Sequence, residues 1–298
     1  MYHTVEMKST FASFNWKRLV PGWIRNPSRP LWKRLTSPKP ADYAAYVGVR
    51  TRELQRLLAD AQLLADFAAE RPLPPGFGHG FDERIVEFPW LVARLPAVPA
   101  RTLDVGSTLN HEFLLTQDCF AMRDLTIVTL EPEELCFWQR RISYVYNDAR
   151  SLPFRDGWFD EVVSISTLEH IGLDNTRFYS QRAAYQENDR GSYLLALREM
   201  WRVLKPGGTC LLTVPFGQAA DYTWFQQFDG TMVDEMIATL SPAQTSETCY
   251  RYRGGSWRLC TRDDCADAMS FHDEPGAGKG DVPKASGAIV ALKMTKVC

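Results

Sequence analysis

A five-residue phrase occurs twice in this chain. Ser107-Thr108-Leu109-Asn110-His111 follows Thr102-Leu103-Asp104-Val105-Gly106, and Ser166-Thr167-Leu168-Glu169-His170 follows Val162-Val163-Ser164-Ile165. Each copy reads as the exit of a buried strand into a polar loop. If the two strands are neighbours in one parallel sheet, two His, an Asn and a Glu converge on one crevice, and open α/β sheets bind ligands at the carboxyl ends of strands where strand order reverses. A His beside a carboxylate can take a proton from a hydroxyl near neutral pH. His170 is the better placed base, His111 the second, and Glu169 can orient either ring. Asn110, Asp174 and Asn175 suit the holding of a polyol, since amides and carboxylates offer several donors and acceptors. Tyr222 and Trp224 can stack on the apolar face of a sugar ring, although aromatics after a strand more often pack a core or a lid. Structural roles stand beside these readings, because Ser, Thr, Asn and His are ordinary at strand-end turns and helix caps. His111, Glu169, His170 and Asp174 would also be acceptable mixed ligands of a divalent metal. The adjacency of Glu169 and His170 disfavours that reading, because neighbouring side chains diverge, and no metal is expected.

Elements that could position these residues follow from periodicity. After Ala100, strands are expected at 102–106, 125–130, 143–146, 160–166, 209–214, 248–252 and 287–294. Helices are expected near 112–116, 133–140, 193–204 and 232–240. Such alternation implies a doubly wound, mainly parallel seven-stranded sheet covered on both faces, an α/β fold joined by right-handed crossovers. Two closing strands without a long helix between them suggest that the last is inserted antiparallel. Upstream, Leu54, Leu57, Leu58, Ala61, Leu64 and Phe67 recur at helical steps within 41–70, and a shorter helix is expected at 83–95. The expected organisation is an arm at 1–40, an N-terminal helical extension at 41–99 and an α/β domain at 100–298.

The arm is basic and aromatic, with Lys8, Lys17, Arg18, Arg25, Arg29, Lys33, Arg34 and Lys39 interleaved with Phe11, Phe14, Trp16, Trp23 and Trp32. That mixture suits peripheral contact with a membrane, or a segment packed over the domain with its charges solvated. Residues 172–191 read as a lid over the crevice, where Arg177 and Arg182 could meet a phosphate. The segment 273–286 reads as an exposed loop. A net charge of -2 over 298 residues gives no support to a general nucleic-acid binder. Seven Cys without a CxxC pair suit reduced thiols in a cytoplasmic protein.

In order and spacing, several phrases between Arg101 and Lys293 resemble the class I S-adenosylmethionine-dependent methyltransferases. Thr102-Leu103-Asp104-Val105-Gly106 resembles the family's first motif, and Asp148-Ala149-Arg150-Ser151-Leu152-Pro153-Phe154 its adenine segment. Phe159-Asp160-Glu161-Val162-Val163 through Leu168-Glu169-His170-Ile171 resembles the fourth strand and its exit. Arg198-Glu199-Met200-Trp201-Arg202-Val203-Leu204-Lys205-Pro206-Gly207-Gly208 resembles the helix and turn before the fifth. The resemblance implies a Rossmann-like methyltransferase fold and an enzyme using S-adenosyl-L-methionine. It also implies cofactor contacts from Asp104, Gly106, Ser107, Glu131, Asp148, Ala149, Leu152 and Ser166. The sequence departs from the family where Gly106 is followed by Ser107 to Asn110 instead of further glycines. It departs again where Thr129 stands in place of the acid that binds ribose, with Glu131 two residues on and on the same side of a strand. Related Ser-Thr-Leu-Asn-His and Ser-Thr-Leu-Glu-His phrases are similar to a methyltransferase-like subgroup associated with glycan assembly, which implies a small-molecule or glycan acceptor. A non-catalytic binding module and a metal-assisted enzyme remain the alternatives. A nicotinamide enzyme would need G-x-G-x-x-G after the first strand, and Gly106-Ser107-Thr108-Leu109-Asn110-His111 does not supply it.

Overall fold

The structure, a computed structural model, describes residues 40–176, 178–179, 183–270 and 286–298. The basic arm, Arg177, Arg182 and all but the end of the 273–286 loop therefore lie outside the described residues. Pro38–Cys298 form one compact unit.

Five strands make the parallel half of the main sheet: β1 (Ala100–Val105), β2 (Arg123–Thr129), β3 (Ile142–Tyr146), β4 (Phe159–Ile165) and β5 (Leu204–Pro215). A short hairpin follows, β6 (Ala220–Asp221) with β7 (Gln226–Gln227), and then β8 (Gln244–Arg253), β9 (Ser256–Cys260) and β10 (Ala288–Thr295). The main sheet runs β3-β2-β1-β4-β5-β10-β8-β9. β10 enters antiparallel between β5 and β8, as its position at the end of the chain suggested. Eight strands form this sheet, not seven. β9 went unread because Gly254-Gly255, both at positive φ, fold Ser256–Cys260 straight back onto β8, and Trp257 is fully buried there.

Strand order reverses between β1 and β4, because β2 and β3 lie on one side of β1 while β4 and β5 lie on the other. The two copies of the repeated phrase leave these two neighbouring strands. Both faces of the sheet are buried. Val163 and Ile165 of β4 enter one apolar cluster, and Phe159 and Val162 enter the other. For that reason the strands read as continuous apolar runs and not as alternating ones.

Helices α1 (Pro40–Leu58), α2 (Ala61–Ala68) and α3 (Arg84–Val92) cover the first face together with α4 (Glu112–Leu115). The single helix expected over 41–70 is broken at Asp60, whose side chain accepts from the Leu63 amide at 3.0 Å and starts α2 afresh. The second face carries α5 (Tyr193–Val203) and α6 (Gly230–Leu240). A one-turn helix, α7 (Arg262–Cys265), opens with a Thr261/Asp264 capping box. The helix expected at 133–140 does not form, and only Trp138–Arg140 make a 3₁₀ turn. The segment is pinned open instead. The Phe137 amide donates to the Tyr144 hydroxyl at 2.7 Å, and Asn110 Nδ2 donates to the Leu135 carbonyl at 2.9 Å.

Candidate active site

The exits of β1 and β4 are fastened together. Thr108 Oγ1 donates to the Ile165 carbonyl at 2.9 Å, so the second residue after Gly106 turns sideways and not into the crevice. Asn110 is drawn off in the other direction, accepting from Tyr144 Oη at 2.8 Å while donating to Leu135. Both ends of its amide are thus tied to the scaffold, each keeping one further hydrogen-bonding position. Gly106 has φ +107°, and a Cβ there would lie 2.2 Å from Thr167 Oγ1. Glycine is required on both counts, and the side chain nearest to it is Thr167.

Two buried polar atoms at the β1 exit lack a hydrogen-bond partner, Asp104 Oδ1 and Ser107 Oγ. Asp104 Oδ2 accepts from the Leu109 amide at 2.8 Å, which orders the loop as expected. Burial pushes its carboxyl up to about 7. Buried polar groups normally find partners, so Asp104 and Ser107 have unused hydrogen-bonding capacity where the resemblance places the amino-acid portion of the cofactor.

The other cofactor candidates divide. Thr129 is buried at the tip of β2, with Tyr179 Oη 3.4 Å from its hydroxyl, and Glu131 follows half-buried. Asp148 is gripped by Arg150, whose Nη2 lies 2.6 Å from Oδ2 and whose Nε lies 3.0 Å from Oδ1. Arg150 also holds Glu187 at 2.8 Å. Desolvation raises the Asp148 pKa, but the Arg150 bonds outweigh it and leave the group below the usual carboxylate range. Ala149 packs against the second apolar cluster and Leu152 is buried within it. Phe154 meets Phe159 edge-on at 4.9 Å. Leu152 is thus buried under the turn, while Pro153 is exposed and Phe154 is half-buried. Ser166, at φ +41°, is likewise turned inward: its Oγ donates to Glu87 Oε1 at 2.5 Å.

Glu87 is a residue the sequence reading missed. It is fully buried in α3 and takes bonds from Ser166, from Thr213 Oγ1 at 2.6 Å and from Arg84 Nη1 at 2.7 Å. One signal was present, a carboxylate inside the apolar run Ile85-Val86-Glu87-Phe88-Pro89-Trp90. Glu83 lies beside it, pushed up to about 8 by burial and then by Asp82 and Glu87.

The two His separate. His111 stacks on Phe113 at 5.4 Å and 20° and meets Phe88 edge-on at 6.0 Å. Desolvation, then Arg84 and Arg50, hold its pKa below the ordinary range, although the residue itself is more exposed than His170. His170 is a quarter exposed and stacks on Trp224 at 5.3 Å and 17°. Its Nδ1 lies 2.9 Å from the Trp224 carbonyl, and its Nε2 lies 3.8 Å from Glu169 Oε1. Glu169 is buried, its Oε2 has no hydrogen-bond partner, and burial raises its pKa well above the ordinary value.

The remaining acceptor candidates support this wall. Asp174 Oδ1 accepts from the Thr176 amide and hydroxyl at 3.1 and 2.5 Å. Asn175 Nδ2 donates to the His170 carbonyl at 2.8 Å. Tyr222 lies flat on Phe225 at 4.4 Å and donates to the Ser270 carbonyl at 3.0 Å. No group of His, Cys, Asp or Glu among the described residues could hold a metal ion.

Residues 103–212 match the family described as "Methyltransferase domain". The matched stretch runs from β1 into β5, the part of the chain whose phrases resemble the class I S-adenosylmethionine-dependent methyltransferases. The ubiquinone/menaquinone biosynthesis C-methyltransferase UbiE of Idiomarina loihiensis is 30% identical over 151 residues, 51% of this chain and 51% of the relative. A tRNA (carboxymethyluridine(34)-5-O)-methyltransferase of Arabidopsis thaliana is 25% identical over 170 residues, 55% of this chain and 37% of the relative. The chain thus spans about half or less of these two relatives. Among solved structures, the 1,6-didemethyltoxoflavin-N1-methyltransferase of Burkholderia thailandensis, with bound S-adenosylhomocysteine, is 16% identical with a TM-score of 0.44. That match covers 88% of this chain and 92% of the solved one.

Proposed function

We propose that the chain is an S-adenosylmethionine-dependent O-methyltransferase acting on a saccharide or another polyhydroxylated acceptor, with His170 as the general base. The observation that carries this reading is the setting of His170. It is a partly exposed imidazole at the β4 exit, with one nitrogen held by a carbonyl and the other beside a buried carboxyl group. When bound, S-adenosylmethionine supplies a methyl on a sulfonium, which a nucleophile takes by direct displacement. Alignment matters most in such a step, and a hydroxyl nucleophile must also lose its proton to a base as it attacks.

Residues at the β1 and β2 exits fit the cofactor. Asp104 Oδ1 and Ser107 Oγ are orphaned polar atoms there, and the side chains of Thr108 and Asn110 are bonded away to Ile165 and Leu135. Glu131 would hold the ribose, and the backbone around Asp148 and Ala149 would hold the adenine, since the Asp148 carboxylate is already paired with Arg150. On the acceptor side Phe178 exposes half of its surface beside Trp224, an apolar ring on which a sugar face can lie. Turnover of a polyhydroxylated acceptor panel with radiolabelled methyl donor tests the proposal. His170→Gln should slow label transfer by about a hundredfold or more while cofactor binding is kept, and equal loss of both would make His170 a scaffold residue.

Peripheral membrane contact through residues 1–40 also belongs to this proposal, resting on the arm's basic and aromatic composition. No helix among the described residues is long and apolar enough to cross a membrane. Deleting the arm should remove sedimentation with anionic liposomes, and unchanged sedimentation would exclude it.

A further inference from the structure

The contact between His170 and the β6–β7 hairpin says which ring nitrogen carries the proton. A carbonyl oxygen can only accept, so the 2.9 Å approach of Nδ1 to the Trp224 carbonyl requires a hydrogen on Nδ1. In the neutral ring the lone pair is then on Nε2, the nitrogen that lies 3.8 Å from Glu169 Oε1.

The carbonyl is held in place from several sides. Thr223, at the tip of the hairpin, has φ +77°, a conformation that a β-branched residue adopts only when its surroundings impose it. Three bonds impose it: the Thr223 amide donates to Asp221 Oδ1 at 2.6 Å, its carbonyl accepts from the Asp174 amide at 3.1 Å, and the Tyr222 amide donates to the Phe225 carbonyl at 2.9 Å. Below the tip, Gln227 is fully buried. Its Nε2 donates to the Gln218 and Ala268 carbonyls at 2.9 and 2.8 Å, and its Oε1 accepts from Ser270. The Trp224 ring, stacked on the imidazole, fixes the plane in which the Nδ1 hydrogen points.

We propose that Trp224 is the positioning residue for the base. Its backbone carbonyl, presented by the strained hairpin tip, selects the Nδ1–H tautomer of His170, and its ring holds the imidazole so that Nε2 faces the reacting hydroxyl. The inference rests on the base role proposed for His170. On proton uptake the acceptor's O–H bond breaks, a bond from oxygen to the methyl carbon forms, the carbon–sulfur bond breaks with its electron pair going to sulfur, and the proton resides on Nε2. The Trp224 carbonyl keeps the Nδ1 hydrogen throughout and so stabilises the imidazolium.

Long-range proton–nitrogen correlation spectra of the uniformly ¹⁵N-labelled full chain at pH 8 test this directly. The five His give few signals, and those missing in His170→Gln belong to His170. Nδ1 should show the protonated, pyrrole-type shift and Nε2 the unprotonated, pyridine-type shift, and the reverse assignment overturns the proposal. In Trp224→Gly, which removes the stack and frees the backbone, His170 should become a mixture of tautomers. Its kcat should fall about tenfold to a hundredfold, part of what a general base contributes, with affinity for S-adenosylhomocysteine unchanged. An unmoved tautomer in a folded Trp224→Gly protein would also contradict the assignment. The two levels fail separately. If the spectra show Nδ1–H but His170→Gln turns over normally, only the base role falls. If His170→Gln is inactive but Nε2 carries the proton, only the role of Trp224 falls.

Discussion

Two identical residue types at matching places in a repeated phrase have opposite surroundings. His111 lies between Phe113 and Phe88, with Arg84 and Arg50 near enough to disfavour a second cation. His170 has a carbonyl on one nitrogen and a carboxyl group near the other. His111→Phe should therefore keep most activity, and His170→Gln should lower kcat by about a hundredfold or more, the usual share of a general base. Steady-state kinetics on the two variants check this, and the reverse order would exchange their roles. The sequence showed that both His leave neighbouring strands, since the phrase repeats after two apolar runs. It could not show which ring would be flanked by aromatics and cations, because Phe88 and Arg84 arrive from a helix more than twenty residues upstream. The same limit applies to Asn110 and Tyr222, whose types suit substrate binding but which are tied by hydrogen bonds to Leu135, Tyr144 and Ser270.

Elements were legible where burial alone decided them. The strands β1, β2, β4, β5 and β10 are buried on both faces and announce themselves as apolar runs, whereas the 133–140 segment is shaped by contacts with Asn110 and Tyr144 that no local pattern carries. One clamp at this scale has no local signature either. Arg123 of β2 reaches Glu161 of β4 at 2.8 and 2.9 Å, passing the intervening β1, whose Thr102 Oγ1 donates to the same carboxylate at 2.8 Å. Arg123 is fully buried and Glu161 nearly so. Removing one partner strands the other charge, so Arg123→Ala should lower stability by about 3–5 kcal/mol in urea unfolding. A loss below 1 kcal/mol would mean that water replaces the partner. A smaller effect is expected at the start of α6, where Asp229 accepts from the Met232 amide at 2.9 Å. Asp229→Ala should cost about 1 kcal/mol in the same assay.

Across the whole molecule, three buried carboxyl groups have their proton affinities raised by burial: Asp104 to about 7, Glu83 to about 8, and Glu169 upward as well. An acid whose folded pKa exceeds its unfolded value holds a proton in the native chain that the unfolded chain has released, so stability falls as pH rises between the two values. For Asp104 that window runs from 3.8 to about 7 and for Glu83 from 4.5 to about 8. His111 acts in the opposite sense, adding stability as pH rises toward its ordinary 6.5, and adds nothing further above it. The midpoint of urea unfolding should therefore decline from pH 6.5 to 8.5, and Glu83→Gln should flatten the decline. A flat wild-type profile over that range would mean that these groups ionise freely in the folded state.

If the exits of β1 and β4 seat a methyl donor, titration calorimetry of the folded chain with S-adenosylhomocysteine will register it. Saturable one-to-one binding is expected, weakened when Asp104 is replaced by Ala and preserved in His170→Gln. Absence of heat at millimolar ligand, with the protein shown to be folded by its thermal transition, would contradict the account.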